Sequence, residues 1–183
     1  MPVSEAAPTV RRLVPADAPA YRALMLDAYA RHPEAFTSTV EERASLPPAW
    51  WETRLRTDAD AAEVVYGAFD AAGALIGAAG LGRESRQRTR HKASLFGMVV
   101  AESARRAGAG RQLVRALLAH ARTLDGVRVV QLTVTEGNRP AQALYERCGF
   151  QVFGVEPMAT VLDGAFSSKV HMWCDLDATP SST

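Results

Sequence analysis

Apolar residues along this chain recur with two different periods, and the places where the period changes mark out its elements. Alternation over Val10 to Val14 predicts a first strand. Pro15-Ala16-Asp17 then opens a helix with Tyr21, Leu24, Met25 and Tyr29 at helical spacing, stopping near His32-Pro33. Periodicity fails from Glu34 to Pro48, and a second helical segment is expected from about Ala49 toward Leu55. Glu63 to Phe69 and Ala74 to Gly82 read as a hairpin joined by the turn residues Asp70 to Gly73. Ser94 to Val100 is a further strand, in which Gly97 points to a bulge or a close backbone approach by a ligand.

The next helix places Leu113, Val114, Leu117, Leu118, Ala121 and Leu124 on one side, opposite Gln112, Arg115 and Arg122, so it is expected to cover a sheet. In the strand Val127 to Thr135, residues Val130, Leu132 and Val134 alternate inward. Asn138-Arg139-Pro140 opens a short helix ended by Gly149. Phe150 to Val155 and Lys169 to Leu176 are expected to pair across a long connection containing Asp163-Gly164. The order is β-α-(α)-β-β-β-α-β-α-β-β, an α/β chain.

At 183 residues the chain has the size of one domain, spanning 10–176 between loose ends at 1–9 and 177–183. A net charge of +1 with 22% charged residues argues against nucleic acid and anionic membrane as partners. The apolar runs are far shorter than a bilayer span, and Met1-Pro2-Val3-Ser4-Glu5 does not read as a signal peptide, so a cytoplasmic location is expected. Cys148 and Cys174 are spaced neither as a metal pair nor as a disulfide framework; they read as reduced packing residues, and no metal is expected.

Chemistry concentrates in Arg105-Arg106-Ala107-Gly108-Ala109-Gly110-Arg111, set between an apolar strand and an amphipathic helix. Glycines at a helix N-terminus let successive N–H groups face one anion, and the flanking arginines add full charge. A diphosphate seat is one reading; a tight turn into the helix is the other. Two other phosphate loops do not fit. Gly110 is followed by Arg111-Gln112 rather than Lys and Ser or Thr, and Leu113 stands where a dinucleotide fingerprint needs its third glycine.

Met98-Val99-Val100, then Arg105-x-x-Gly108-x-Gly110, then Asn138 with Ala141, Leu144-Tyr145-Glu146 and Gly149-Phe150, together resemble the GCN5-related N-acetyltransferase superfamily. The resemblance implies a twisted mixed sheet flanked by helices, with splayed central strands, and an enzyme that moves an acetyl group from acetyl-coenzyme A to an amine. It implies that residues 105–111 bind the cofactor's diphosphate and that the main chain of Met98, Val99 and Val100 pairs with its pantetheine arm. It implies further that Asn138 contacts that arm, and that Tyr145 binds near the thioester sulfur as general acid. Homodimers are common in this family. The residues alone leave Tyr145 open as core, since Ala141, Leu144, Tyr145 and Cys148 share a helix stripe, and Asn138 open as a helix cap.

A phenol near pKa 10 is a workable proton donor to a thiolate near 8.5, and the N–H of Met98 or Val99 can polarise the carbonyl. The central strand holds no carboxylate, so Glu136, His91 and Glu84 are the candidate bases. Phe36, Trp50 and Trp51, among Glu34, Glu41, Glu42 and Glu52, suggest a pocket for a cationic amine, on a small molecule or a protein. The loop from Arg83 to Lys92 is strongly basic. A non-catalytic acyl-coenzyme A sensor, or transfer of another acyl group, remains an alternative from the residues.

Overall fold

The computed structural model describes residues 7–105 and 107–178; Arg106 and the two ends lie outside them. Seven strands form one sheet in the order β1-β2-β3-β4-β5-β7-β6. They are β1 (Thr9–Arg12), β2 (Glu63–Phe69), β3 (Leu75–Arg83), β4 (Lys92–Val100), β5 (Val129–Thr135), β6 (Gln151–Leu162) and β7 (Ala165–Asp175). The helices are α1 (Ala18–Arg31), α2 (Val40–Ala44), α3 (Pro48–Arg54), α4 (Ala109–Thr123) and α5 (Arg139–Arg147). All strand pairs are antiparallel except β4 with β5, so the sheet is mixed.

Both faces of the sheet are covered. Along β2, Val64 and Ala68 point to one side, where Leu113, Val114, Leu117 and Ala121 of α4 are fully buried; this is the stripe read from the sequence. Val65, next to Val64, points to the other side and packs with Tyr21 and Met25 of α1 and with Trp51 of α3. Burying each large apolar side chain contributes roughly 1.5–3 kcal/mol, so these two layers fix where the sheet's middle lies.

Several elements differ from their expected extents. The first strand ends at Arg12; Leu13 still donates its N–H to Val65 O of β2 at 2.8 Å, and Val14 leads into a tight turn. The short helix α2 lies within the stretch where no period is visible, closed by a capping box between Thr39 and Glu42. The long connection before the last strand is itself strand: β6 and β7 form a ribbon around a two-residue turn, Asp163 and Gly164, both with positive φ. A bulge between Glu156 and Thr160, with Met158 at φ 53°, interrupts the alternation that would have revealed it.

One irregularity organises the site. From Gly80↔Phe96 to Ala78↔Val99, β3 advances two residues while β4 advances three, and Gly97 in the extra position has φ +59°. On its other edge β4 pairs with β5 only through Lys92↔Val129, Ala93↔Val130 and Ser94↔Gln131. Beyond Ser94 the two parallel strands diverge and leave a cleft.

Candidate active site

The cleft between β4 and β5 has a volume of about 930 Å³ and is lined by Met98, Val99, Val100, Arg105, Gly108, Gly110, Arg111, Glu136 and Asn138, among others. The outer edge of Met98 to Val100 has no strand partner in the sheet, so its peptide groups are open to an extended ligand. At one end stands the N-terminus of α4. Gln112 donates its N–H to Gly108 O at 3.1 Å, the first bond of the helix, so the N–H groups of Ala109, Gly110 and Arg111 precede the ladder. Donors free of the helix ladder, of the kind that can bind an anion, thus open into the cleft.

The two glycines serve different needs. Gly108 caps the helix with φ +79°, a left-handed conformation, and a Cβ there would meet nothing within 4 Å. At Gly110 a Cβ would lie 3.1 Å from Leu144 Cδ2, so this glycine lets α4 approach α5. Ala107 spends its N–H on Ala104 O at 3.1 Å, and Ala109 is fully buried. The Arg105 guanidinium turns toward His32, with Nη2 2.7 Å from Nε2. Gly-x-Gly, a donor-rich helix end, Arg111 and an unpaired strand edge together fit a phosphorylated cofactor with an amide-bearing arm.

Behind the bulge lies a second cavity of about 320 Å³, which shares Phe36, Met98, Thr135, Asn138 and Ala141 with the first. Tyr145 lines it, 5% exposed, its ring edge-on to Phe150. Burial pushes the Tyr145 phenol well above its ordinary value, so it stays protonated. Asn138 caps α5 by accepting from the Ala141 N–H at 3.3 Å and lines both cavities; the cap and the cleft position coexist.

Three cations line this second cavity, Arg43, Arg54 and Lys169, and among its described lining residues there is no Asp or Glu. The expectation of aromatics with carboxylates is therefore corrected. Glu42 is engaged in the α2 capping box, and Glu52 is exposed. Phe36 lines both cavities, but Trp51 is 1% exposed and packs in the core edge-on to Tyr21. Trp50 stacks under the guanidinium groups of Arg43 and Arg54 at 4.9 and 4.6 Å and supports them. Glu136 is exposed in the first cleft and does not line the inner cavity. His91 and Glu84 sit at the start of β4, the end away from Gly97, where His91 O accepts from Arg128 and Val129 and the Glu84 N–H donates to Lys92 O. The candidate bases are thus not brought to the inner cavity.

A model of the acetyltransferase (GNAT) family matches residues 23–150. The L-methionine sulfoximine/L-methionine sulfone acetyltransferase of Pseudomonas aeruginosa is 28% identical over 167 residues, 91% of this chain and 94% of that protein. A GNAT-family acetyltransferase of Streptococcus pneumoniae superposes with a TM-score of 0.80 at 24% identity, covering 91% of this chain and 97% of that one. The yncA protein of Salmonella typhimurium, solved with its cofactor acetyl-CoA, does so with a TM-score of 0.76 at 23% identity, over 96% and 99%.

Proposed function

Because the chain belongs to the acetyltransferase (GNAT) family and is an N-acetyltransferase that uses acetyl-coenzyme A, we propose that its acceptor is the primary amine of a small molecule held in the inner cavity. The observation that carries this reading is the meeting of the two cavities at the β4 bulge, where the walls made by Met98, Asn138 and Ala141 are common to both. The inner cavity, about 320 Å³ and walled by side chains, has the size of a small-molecule site. The relative that acetylates L-methionine sulfoximine and L-methionine sulfone supports the same scale of acceptor.

Acetyl-coenzyme A supplies the activated thioester. In this proposal the N–H groups at the start of α4 hold its diphosphate, Met98 to Val100 bind the arm, and the Met98 N–H polarises the carbonyl; the Val99 N–H faces β3, since Val99 pairs with Ala78. Tyr145 gives a hydrogen bond to the departing sulfur. With no carboxylate lining the inner cavity, the amine itself must arrive neutral, and an amine at pKa about 10.4 costs roughly 4–5 kcal/mol to deprotonate at pH 7.

Coenzyme A thiol release, measured over a panel of small primary amines and amine-bearing peptides, tests the proposal. Small amines are expected to be the better acceptors, and turnover confined to peptides would overturn it. No helix of the described residues is long and apolar enough to cross a membrane, and a cytoplasmic location belongs to this proposal. So does a homodimer, since Phe153, Met158, Val161 and Phe166 are large apolar side chains exposed on the β6–β7 ribbon; a monomer in sedimentation velocity would contradict it.

A further inference from the structure

We infer that the acceptor carries a carboxylate, bound in the inner cavity by Arg43, Arg54 and Lys169. The inference rests on the acceptor reading above and names the chemical class of that molecule. It starts from a charge imbalance. Three cations converge from α2, α3 and β7 on a cavity to which the described residues contribute no carboxylate. Glu63 offsets one of them, through bonds of 2.8 and 3.2 Å to Nε and Nη2 of Arg54. Two positive charges remain.

Each cation is held in place, and each is incompletely satisfied. The Arg54 guanidinium lies 4.6 Å from the Trp50 ring and 4.7 Å from that of Phe96, and Glu63 leaves its Nη1 unengaged. A planar fork fixed in this way is preorganised for a carboxylate. Arg43 stacks on the same Trp50, and its Nε is buried with no hydrogen-bond partner among the described residues. That nitrogen is sealed from the cavity, so an oxyanion would meet the part of the Arg43 side chain that lines it.

Lys169 is 6% exposed, and its Nζ donates to Thr135 Oγ1 at 2.9 Å, while that hydroxyl donates to Glu34 O at 2.8 Å. Its nearest partner is therefore neutral. The carboxylate that acts on it, Glu156, is held by His171 Nε2 at 2.9 Å, and burial lowers the Lys169 ammonium below its ordinary value. A buried ammonium in this state gains from an anion brought beside it. The same positive surroundings favour the neutral form of the acceptor's own amine, the form that attacks, and so ease the lack of a base.

Gly80 protects the arrangement. A Cβ there would lie 2.3 Å from Phe96 Cζ, so a glycine in β3 is what allows that ring to lie across the sheet and brace Arg54.

The test uses the full chain saturated with coenzyme A and a panel of matched pairs: amino acids, L-methionine sulfone among them, each against the same molecule without its carboxylate. Calorimetry measures affinity, and thiol release with acetyl-coenzyme A measures turnover. The acid of at least one pair is expected to bind ten times more tightly or better. Arg43→Gln is expected to weaken the acid about ten- to a hundredfold while leaving its decarboxylated partner and coenzyme A unchanged, with Arg43→Lys retaining part of the difference. Equal binding within every pair overturns the inference, as does an Arg43→Gln variant that weakens both members alike. Thiol release that ignores the carboxylate overturns the inference and leaves the small-amine reading standing. Carboxylate-dependent binding with no thiol release from any pair overturns the small-amine reading and, with it, the assignment of the carboxylate to an acceptor, leaving an anion site alone.

Discussion

Gly108→Asp is expected to abolish tight coenzyme A binding, raising its Kd at least a hundredfold while the protein stays folded. The glycine has φ +79°, a conformation that costs other residues roughly 1–2 kcal/mol, although Asp tolerates it better than most. Space is not the obstacle, since a Cβ at this position meets nothing within 4 Å. An acidic residue at a helix N-terminus also gains from the helix dipole, which offsets part of the strain. The loss therefore falls on the ligand: a carboxylate beside the N–H groups of Ala109, Gly110 and Arg111 competes for them and repels a diphosphate. Losing two charge-assisted hydrogen bonds costs about 3 kcal/mol or more, consistent with the expected change. Gly108→Ala separates the causes, adding the strain without the charge, and is expected to bind coenzyme A far better than the Asp variant. Wild-type affinity in Gly108→Asp, measured by calorimetry, would remove the diphosphate from this loop.

Tyr145→Phe is expected to lower kcat about a hundredfold, within the 10²–10⁴ range of general acid catalysis, with little change in coenzyme A affinity. The variant keeps the ring and its edge-on packing against Phe150, so a large stability loss is not expected. Because burial raises the phenol's pKa, the hydroxyl stays protonated throughout the neutral and mildly alkaline range. Its expected role is donor, never base. The wild-type pH–rate profile is accordingly expected to show no fall from Tyr145 ionisation near its ordinary value of about 10. An unchanged kcat in the Phe variant would return Tyr145 to the core stripe it shares with Ala141 and Leu144.

What could be read from the chain was local. The buried stripe of α4, the bulge at Gly97 and the cap at Asn138 each depend on residues within a few positions of one another, and each lies where its pattern places it. The cation-lined cavity wall was not legible, because Arg43, Arg54 and Lys169 are brought together from elements far apart in sequence. Two of those elements are helices of five and seven residues, too short to display a period. Adjacent helical residues point in different directions, which is why Trp51 enters the core while Trp50 lies under the arginines. The acidic residues of the same stretch are drawn into capping or left in solvent. The β6–β7 ribbon was hidden by Pro157 and the bulge at Met158, although Asp163-Gly164 is a strong hairpin signal.

A crystal structure of the protein with coenzyme A bears most directly on the claim that the gap between β4 and β5 delivers an acetyl group to the cation-lined cavity. The diphosphate is expected on the N–H groups that open α4, the arm along Met98 to Val100, and the sulfur facing Tyr145 at the junction with that cavity. A diphosphate seated elsewhere, as on the basic loop from Arg83 to Lys92, or an arm lying outside the gap, would contradict it.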